Sequence, residues 1–321
     1  MFQIDESIPV KKLTSYLQNE TTFLKDLKTI EGIEVAGQGN MNVVLRVKTS
    51  DKNFILKQSR PFVNKYPKIP APLDRIEVEQ QFYYLMDGNQ FFPKVLEYIS
   101  KDHILILEDL GKGEDLTSIY QSESITPVLI RDFTLGLYDI HKKKVPPNYP
   151  KNMILRQLNH QHIFILPFIK NNNFCLDNIQ HGLESLAAPF KKNNILKNKI
   201  QDAGKEYLKQ GNTILHGDYY PGSWMRVGEN LYIIDPEFSF VGPREFDLGV
   251  MSAHLIISSG NSALIHEVLK AYPLPIQLEQ IRIYCGIEII RRLIGLAQLP
   301  INRSLQEKKV LLALAEELIQ G

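Results

Sequence analysis

The chain has 321 residues, of which 44% are hydrophobic and 23% charged, and its formal net charge is +1. This composition is that of a globular chain and does not indicate intrinsic disorder. A nearly neutral chain has no overall field that would attract nucleic acid or an anionic membrane. A length above about 250–300 residues usually exceeds one compact core, so two lobes are expected.

The two cysteines, Cys175 and Cys285, are far apart and have apolar neighbours. They predict reduced thiols packed inside a cytosolic protein and not a disulfide framework or a zinc site. The first residues lack the basic and apolar regions of a signal peptide, and no apolar run reaches the length of a membrane span. We therefore expect a cytoplasmic protein. As its oligomeric state we expect a monomer or a homodimer.

The first third of the chain is predicted to mix helices and strands. Apolar residues recur at helical spacing over residues 10–30, with a break near Thr21, and a further helix fits residues 73–86. Alternating and apolar runs predict short strands at 43–47, 54–57, 95–99 and 103–107. Four prolines lie between residues 61 and 73, and this segment is predicted to lack regular structure.

The remainder is predicted to be mostly helical, with helices at 126–141 and 195–210 and a strand-turn-strand unit over 213–235. The last helix begins with a capping box, Ser304 with Glu307. We therefore predict an α+β fold in which a small N-terminal lobe, residues 1–109, carries an antiparallel sheet and a helix. The C-terminal lobe, residues 110–321, is larger and mostly helical.

Two carboxylates in the strand-turn-strand unit carry the strongest chemical signal. Asp218 lies in His216-Gly217-Asp218, and Asp235 follows 17 positions later, after a short strand. Phosphoryl transfer needs one carboxylate to orient the acceptor hydroxyl and take its proton, and a second to hold magnesium against the phosphates. The spacing favours this chemistry over two carboxylates that merely cap turns.

Two further oxygen ligands for magnesium are candidates. Ser223 lies five residues after Asp218, where kinases have a metal-binding asparagine, and a hydroxyl is a weaker ligand. Glu237 lies two residues after Asp235 and can supply the missing oxygen. We prefer this role for Glu237 to that of a solvent-exposed loop acid.

The N-terminal lobe contains candidates for the nucleotide site. Gly37-Gln38-Gly39-Asn40 precedes a strand, and glycines there let backbone N–H groups approach phosphates. Lys57, on the next strand, is a candidate phosphate anchor, and Glu79 on the following helix is its expected partner, with Glu77 as the competing choice. Glu108-Asp109-Leu110 ends the lobe where kinases bind adenine through backbone groups.

A pair of arginines interrupts an apolar helical run near the C-terminus. Arg291 and Arg292 point about 100° apart on a helix, so they need not both face solvent. An ion pair of Arg292 with Glu288, four residues earlier, is one interpretation, and a cleft role is the other. Asp247 is predicted to be structural, capping backbone N–H groups of the loop that holds Asp218.

These segments resemble the aminoglycoside phosphotransferase and choline kinase superfamily, and in particular its methylthioribose kinases. The resemblance extends from about residue 35 to 298. The motifs that carry it are Gly39-Asn40-Met41-Asn42, Leu56-Lys57-Gln58, Leu73-Asp74-Arg75 with Glu79, His216-Gly217-Asp218 with Gly222-Ser223, Asp235-Pro236-Glu237-Phe238, Gly242-Pro243, Phe246-Asp247, and Ile290-Arg291-Arg292 with Ile294-Gly295-Leu296-Ala297.

The resemblance implies a two-lobed protein-kinase-like fold and an ATP-dependent kinase. Asp218 would be the base that contacts the acceptor hydroxyl, Asp235 and Glu237 would bind Mg²⁺, Lys57 would contact the phosphates, and Arg291 and Arg292 would contact the acceptor sugar. The chain departs from the family at Tyr219-Tyr220-Pro221, where Leu-His-Thr is usual, and it lacks a tryptophan near Pro67.

We therefore expect phosphorylation of a small metabolite, with 5-methylthioribose as the first choice. Another sugar, an amino alcohol or an aminoglycoside is the enzymatic alternative. An inactive, nucleotide-binding kinase fold is the alternative from a different class, and Asp218, Asp235 and Lys57 argue against it. A protein kinase is disfavoured because no activation loop with its Ala-Pro-Glu anchor follows Asp235.

Overall fold

The computed structural model describes residues 1–25, 29–37, 41–64, 66–121, 125–299 and 301–321. The chain forms two units, each with its own internal contacts. The first comprises Met1–Glu114 together with Arg226–Phe238, and the second comprises Asp115–Met225 and Ser239–Gly321. The first unit thus takes in a segment far along the chain, in addition to the residues 1–109 predicted as the N-terminal lobe.

The strands of the described residues are short, and most belong to the first unit. They are β1 Ile30–Val35, β2 Asn42–Thr49, β3 Phe54–Ser59, β4 Phe62–Val63, β5 Tyr66–Pro70, β6 Val95–Ile99, β7 Ile104–Glu108, β8 Glu114–Asp115, β9 Thr213–Leu215, β10 Trp224–Val227, β11 Asn230–Ile233 and β12 Phe240–Gly242.

The α-helices are concentrated in the second unit. They are α1 Val10–Glu20, α2 Arg75–Leu85, α3 Pro127–His141, α4 Met153–His160, α5 Leu183–Lys192, α6 Asn194–Leu208, α7 Arg244–Ser259, α8 Leu264–Ala271, α9 Leu278–Ile294 and α10 Leu305–Gln320. The prediction of an α+β chain is confirmed.

The first unit is built on a five-stranded antiparallel sheet in the order β1-β2-β3-β7-β6. Apolar side chains of α1 and of the central strands form one core, which includes Leu13, Leu17, Leu56 and Ile106. Lys57 lies in β3, opposite Val44 on one neighbouring strand and Leu105 on the other. A charged side chain is therefore held in the middle of the sheet, where its position is fixed by hydrogen-bonded strands on both sides.

One sequence prediction in the first unit is confirmed in part, and another is wrong. The break predicted near Thr21 is present, since α1 ends at Glu20, Thr21 is extended and its hydroxyl donates to the Leu17 carbonyl at 2.7 Å, and the helix does not continue beyond this break. The proline-rich segment is not irregular, since β4 and β5 form a two-stranded ribbon in which Phe62 lies opposite Pro70. A two-stranded ribbon consists only of edge strands, where a proline without an N–H is tolerated.

In the second unit, α9 packs between α7 and α10. The capping box predicted for α10 is present: the Ser304 hydroxyl accepts from the Glu307 N–H, and the Glu307 carboxylate accepts from the Ser304 N–H. Strands β9 and β12 pair antiparallel, with Leu215 opposite Phe240. This short ladder supports the chain immediately before His216, where the segment around Asp218 begins.

Both cysteines are free thiols, but only Cys285 is packed inside the protein; Cys175 is exposed, contrary to the prediction. In the part of the chain that the structure describes, every helix is too short or too polar to cross a membrane.

Candidate active site

Lys57 is the centre of a charged group in the first unit. Its ammonium donates to Glu79 at 2.8 Å, and both side chains are buried. Glu79 projects from α2, whereas Glu77 on the same helix is exposed. The predicted pairing of Lys57 with Glu79 is therefore confirmed, and the competing choice of Glu77 is excluded.

Asp235 is the second partner of Lys57, with 2.5 Å between the ammonium and Oδ1. Burial alone would lower the pKa of Lys57, but the carboxylates of Asp235 and Glu79 outweigh it and hold the pKa above its ordinary value. The Asp235 side chain is 47% exposed, unlike Lys57 and Glu79. It is the member of this group that an incoming ligand can reach.

The backbone of Asp235 adopts a left-handed conformation, with φ at +61°. Non-glycine residues visit this region rarely, and aspartate and asparagine tolerate it best. Its N–H donates to the hydroxyl of the buried Tyr83, at 3.1 Å. The turn is thus held in a rare conformation by a specific contact, and it presents the Asp235 carboxylate to Lys57.

Glu237 is buried and bound to two side chains of the first unit. Its Oε2 lies 2.9 Å from the Asn42 amide nitrogen and 3.2 Å from Arg75 Nε. Burial raises the pKa of Glu237, and Lys57 and Arg75 partly offset that rise. The structure therefore places Glu237 in a buried network and not on an exposed loop.

Arg75 joins Glu237 to the end of the glycine segment. It is fully buried and donates to the carbonyls of Met41, Arg60 and Pro72. Gly37 is exposed, with open space where a Cβ would lie, and Gly39 and Asn40 lie outside the described residues. The predicted contacts of Gly37, Gly39 and Asn40 with ATP stay predictions.

Glu108 and Leu110 were predicted to lie beside the adenine. The Glu108 carboxylate accepts from the Lys94 N–H at 2.7 Å, and its N–H donates to the Lys94 carbonyl. The adjacent Asp109 binds Arg46 through both oxygens, at 2.8 and 3.0 Å. These bonds fix the chain up to Leu110, which is partly exposed, and the adenine contacts themselves stay predictions.

In the second unit, Asp218 follows β9 through a turn at Gly217. Gly217 has φ at +85°, a conformation that glycine adopts without a steric penalty. The N–H groups of His216 and Gly217 donate to the two oxygens of Asp247, at 2.7 and 3.0 Å. The predicted capping role of Asp247 is confirmed, and this carboxylate fixes the backbone that carries Asp218.

Behind Asp247 lies a contact that sequence analysis missed. His141 Nε2 is 3.2 Å from Asp247 Oδ2, and His141 Nδ1 is 2.7 Å from the Tyr272 hydroxyl. His141 ends α3, more than 100 positions from either partner. In the sequence, only the residue type of His141 indicated such a contact, because a histidine at the end of an apolar helix needs a hydrogen-bond partner.

Ser223, predicted as a metal ligand, is 3% exposed, and its hydroxyl donates to the Asp218 carbonyl at 2.9 Å. This bond closes the turn between Asp218 and Ser223. The hydroxyl proton is thereby engaged, and metal binding through the Ser223 oxygen stays a prediction.

The arginine pair lies in the last turn of α9, and both side chains are buried. Glu288 accepts from both, with 2.8 Å to Arg291 Nη1 and 2.6 Å to Arg292 Nε. Arg292 Nη2 also lies 3.4 Å from Asp218 Oδ1. The predicted ion pair of Glu288 with Arg292 is present, but it is buried and continues to Asp218, so it is not a surface salt bridge.

Burial raises the pKa of Asp218, and the positive charges of Arg292 and Arg291 only partly oppose that rise. A carboxylate with a raised pKa accepts a proton more readily, which suits a general base. The geometry of the second unit therefore brings together a carboxyl group with a raised pKa and two guanidinium groups.

Magnesium is usually held by one or two protein carboxylates together with substrate phosphates and water. Asp235 fits this requirement because its carboxylate is nearly half exposed. Glu237 provides a second carboxylate two residues later, already bound to Arg75 and Asn42. Across the described ranges, no group of three or more His, Cys, Asp or Glu side chains could hold a metal by itself.

Comparison with known proteins identifies relatives of this chain. A methylthioribose kinase of Exiguobacterium sibiricum is 29% identical over 245 residues, which are 70% of this chain and 61% of that protein. The chain thus matches about three fifths of that relative's length. A methylthioribose kinase of Bacillus mycoides is 25% identical over 88% of this chain and 86% of the relative.

A solved structure of spectinomycin phosphotransferase in complex with ADP and spectinomycin has the same fold. It superposes with a TM-score of 0.54 at 13% identity, over 98% of each chain. The profile of the phosphotransferase enzyme family matches residues 32–282, well over half of the sequence. The chain therefore belongs to the phosphotransferase enzyme family.

Proposed function

We propose that the chain is a kinase that transfers the γ-phosphate of ATP to a hydroxyl group of 5-methylthioribose. The observation that carries this proposal is the contact of Asp218 with Arg292, beside Arg291. A base and two cationic donors at one place suit an acceptor that carries hydroxyl groups and becomes a phosphate ester.

In the proposed reaction, Asp218 accepts the proton of the acceptor hydroxyl while the oxygen attacks the γ-phosphorus. The bond from the γ-phosphorus to the bridging oxygen of ATP breaks, and ADP leaves. The raised pKa of Asp218 supports this role because it brings the carboxyl closer to the pH at which the enzyme works.

Lys57 would bind the phosphates of ATP through its ammonium, which Glu79 holds in place. Asp235 and Glu237 would hold Mg²⁺, which supplies charge neutralisation on the phosphate oxygens. Asp235 is bound to Lys57 in the structure, so nucleotide binding would exchange part of this ion pair for contacts with the phosphates.

The charges beside Asp218 favour a neutral sugar over an aminoglycoside. Aminoglycosides are polycations, and two guanidinium groups would repel them. Within the described residues, Arg291 Nε is buried without a hydrogen-bond partner. A buried donor without an acceptor is costly, and a sugar oxygen would supply the missing acceptor. The names of the two methylthioribose kinase relatives support the particular sugar.

A screen of ADP release over a panel of acceptors tests the proposal. The panel comprises 5-methylthioribose, other pentoses, choline, ethanolamine and aminoglycosides, each with ATP and Mg²⁺. We expect the highest kcat/KM with 5-methylthioribose, and turnover of that acceptor at least about a hundredfold lower in the Asp218→Asn control. If choline or an aminoglycoside gave a higher kcat/KM, that compound would replace 5-methylthioribose as the proposed acceptor. If no compound of the panel caused ADP release, the proposal that the chain is a kinase would be wrong.

A further inference from the structure

A buried chain of hydrogen bonds lies behind the arginine pair. The Tyr120 hydroxyl is 2.6 Å from His254 Nδ1, and His254 Nε2 is 3.0 Å from Glu288 Oε1. These three side chains are at most 4% exposed. They come from the turn Leu116–Tyr120, from α7 and from α9, so three separate elements of the second unit meet at Glu288.

The direction of the hydrogen bonds follows from the chemistry of the groups. An ionised carboxylate only accepts, so Nε2 of His254 carries the proton that is donated to Glu288. A neutral imidazole then has an acceptor at Nδ1, and the Tyr120 hydroxyl must donate to it. Each group has one possible role, and the tautomer of His254 is fixed by its two neighbours.

The ionisation states agree with this direction. Burial lowers the pKa of His254 to about 4, so its ring is neutral at pH 7. Burial would raise the pKa of Glu288, but Arg291 and Arg292 outweigh it and hold the pKa well below its ordinary value. Burial raises the pKa of Tyr120, which keeps its hydroxyl protonated as a donor.

Among these three side chains, Glu288 is the one that contacts both arginines, and its two oxygens are divided between them. Oε1 accepts from Arg292 Nε and faces His254, and Oε2 accepts from Arg291 Nη1. Rotation of this carboxylate would break at least one of the guanidinium contacts. The orientation of Glu288 therefore determines where both guanidinium groups lie.

Arg292 is also held on its other face. The Tyr220 ring lies 4.9 Å from the guanidinium carbon, and the same ring lies 5.2 Å from that of His254. A Cβ on Gly222 would come within 2.4 Å of the Tyr220 hydroxyl, so a side chain there would displace the ring. Stacking and hydrogen bonding together leave Arg292 little freedom.

We infer that Tyr120, His254 and Glu288 form a positioning relay that sets the orientation of Arg291 and Arg292 beside Asp218, and so determines how the acceptor is bound and turned over. The inference rests on the proposed function, because it assigns the arginines to the acceptor. None of the three relay residues needs to touch the acceptor. The relay acts only through the guanidinium groups.

A role in folding alone would predict a different sensitivity. Buried ion pairs contribute little net stability compared with apolar packing, although removing one partner is harmful. Tyr120→Phe removes one hydroxyl and leaves every charge of the cluster paired, so it should keep the fold intact and alter the acceptor kinetics. Glu288→Gln keeps the shape of the side chain but removes the charge that both guanidinium groups face, so its free energy of unfolding should fall and is measured beside its kinetics.

The kinetic test compares these variants with matched controls elsewhere in the chain. Glu245→Gln changes another buried carboxylate of the second unit, which accepts from the Gln277 N–H, and Tyr16→Phe removes another hydroxyl bound to a carboxylate. We expect kcat/KM for the acceptor to fall about three- to tenfold in Tyr120→Phe and at least about tenfold in Glu288→Gln. The KM for ATP should stay within about twofold, and both controls should match wild type.

A double-mutant cycle sharpens this test. If Glu288 acts through Arg292, Arg292→Met and Glu288→Gln together should cost less than the product of the two single effects. The relay would be overturned if the loss in the double mutant equalled the product of the two single losses. It would also be overturned if kcat/KM for ATP and for the acceptor fell equally. If Glu288→Gln does not fold, Tyr120→Phe and the spectroscopic test below still decide.

The second test needs no substrate. Selective ¹⁵N-histidine labelling should show His254 as a neutral ring protonated at Nε2, with Nδ1 as an acceptor, and Tyr120→Phe should shift the Nδ1 resonance. A ring protonated at Nδ1 would overturn the inference. Failure of the proposed function can be distinguished from failure of the relay, because in that case the wild-type protein would not phosphorylate 5-methylthioribose. The kinetic test of the relay would then use whichever acceptor the screen identifies.

Discussion

The charged groups of the two units differ in how firmly they are held. In the first unit, Lys57 binds the buried Glu79 and the half-exposed Asp235. In the second unit, Glu288, Arg291 and Arg292 are all buried, and each contacts at least one other charged group of the cluster. One cluster has a half-exposed member, and the three side chains of the other are each at most 6% exposed.

This difference indicates two kinds of task. A partly exposed ion pair loses little when a phosphate or a metal replaces one partner, because water already screens it. A buried cluster cannot exchange its partners cheaply, since each uncompensated charge is costly. We therefore expect the first cluster to change its contacts during turnover and the second to keep its geometry. The following predictions test that contrast, in order of decreasing effect.

The largest effect is expected for Asp218→Asn. The amide cannot take the proton of the acceptor hydroxyl, and general-base catalysis typically contributes at least about a hundredfold. We expect kcat to fall by at least this factor, while ATP affinity measured by titration calorimetry stays near wild type. Near-normal turnover would remove Asp218 from the mechanism.

Asp235→Asn should affect the nucleotide and not the acceptor. Asparagine tolerates the left-handed backbone of this position, so the change removes charge without adding strain. In saturating Mg²⁺ we expect ATP binding to weaken at least about tenfold, with a smaller loss for Glu237→Gln. The control is Glu34→Gln, which removes a carboxylate paired with Lys48 on the same sheet.

The ATP affinity of these variants is measured as a function of Mg²⁺ concentration. If the ATP affinity of Asp235→Asn depended on Mg²⁺ as in wild type, Asp235 would not be the principal metal ligand. If Glu237→Gln gave the same Mg²⁺ titration as wild type, Glu237 would serve only to bind Arg75 and Asn42.

Arg292→Met should alter the pH profile as well as the rate. The Arg292 charge lowers the pKa of Asp218, so its removal raises that pKa further. A base works only when deprotonated, and activity is therefore present above the pKa and lost as the pH falls through it. The acidic limb of kcat/KM should move to higher pH, and kcat/KM at pH 7 should fall about tenfold or more.

The control for this profile is Arg131→Met, because Arg131 is an exposed arginine of the second unit, on α3. An acidic limb at the wild-type position in Arg292→Met would show that Arg292 does not act on Asp218 in solution.

The smallest effect is expected for Ser223→Ala. The lost bond to the Asp218 carbonyl should lower the free energy of unfolding by about 1 kcal/mol, the usual net contribution of one hydrogen bond. The Mg²⁺ concentration for half-maximal activity should rise less than in Asp235→Asn. Urea unfolding and a Mg²⁺ titration measure the two effects, and a larger metal effect for Ser223 would reverse the proposed order of ligands.

The sequence predicted those features that depend on local spacing. Lys57 lies on a strand and Glu79 on the helix that follows, and this order, together with the lysine–glutamate pair that kinases require, allowed their pairing to be anticipated. The capping box of α10 follows from a motif of four residues. The bond from Asp247 to the loop of Asp218 spans 31 positions and was anticipated from residue type, since an aspartate among apolar residues needs hydrogen-bond donors.

The relay could not be predicted because its members are brought together only by tertiary packing. Tyr120 and His254 are 134 positions apart, and neither belongs to a motif. His141 and Tyr272 form a similar contact across 131 positions. The ribbon of β4 and β5 was missed for another reason, since the proline penalty applies to central strands and these are edge strands.

The close approach of α9 to α10 has a consequence for protein engineering. A Cβ on Gly286 would come within 2.5 Å of the Ala315 carbonyl oxygen, so the two helices fit only with glycine at this position. Gly286 lies on the same helix as Arg291 and Arg292, upstream of the turn that carries them. Replacing Gly286 with alanine should therefore push α9 away from α10 and displace that turn.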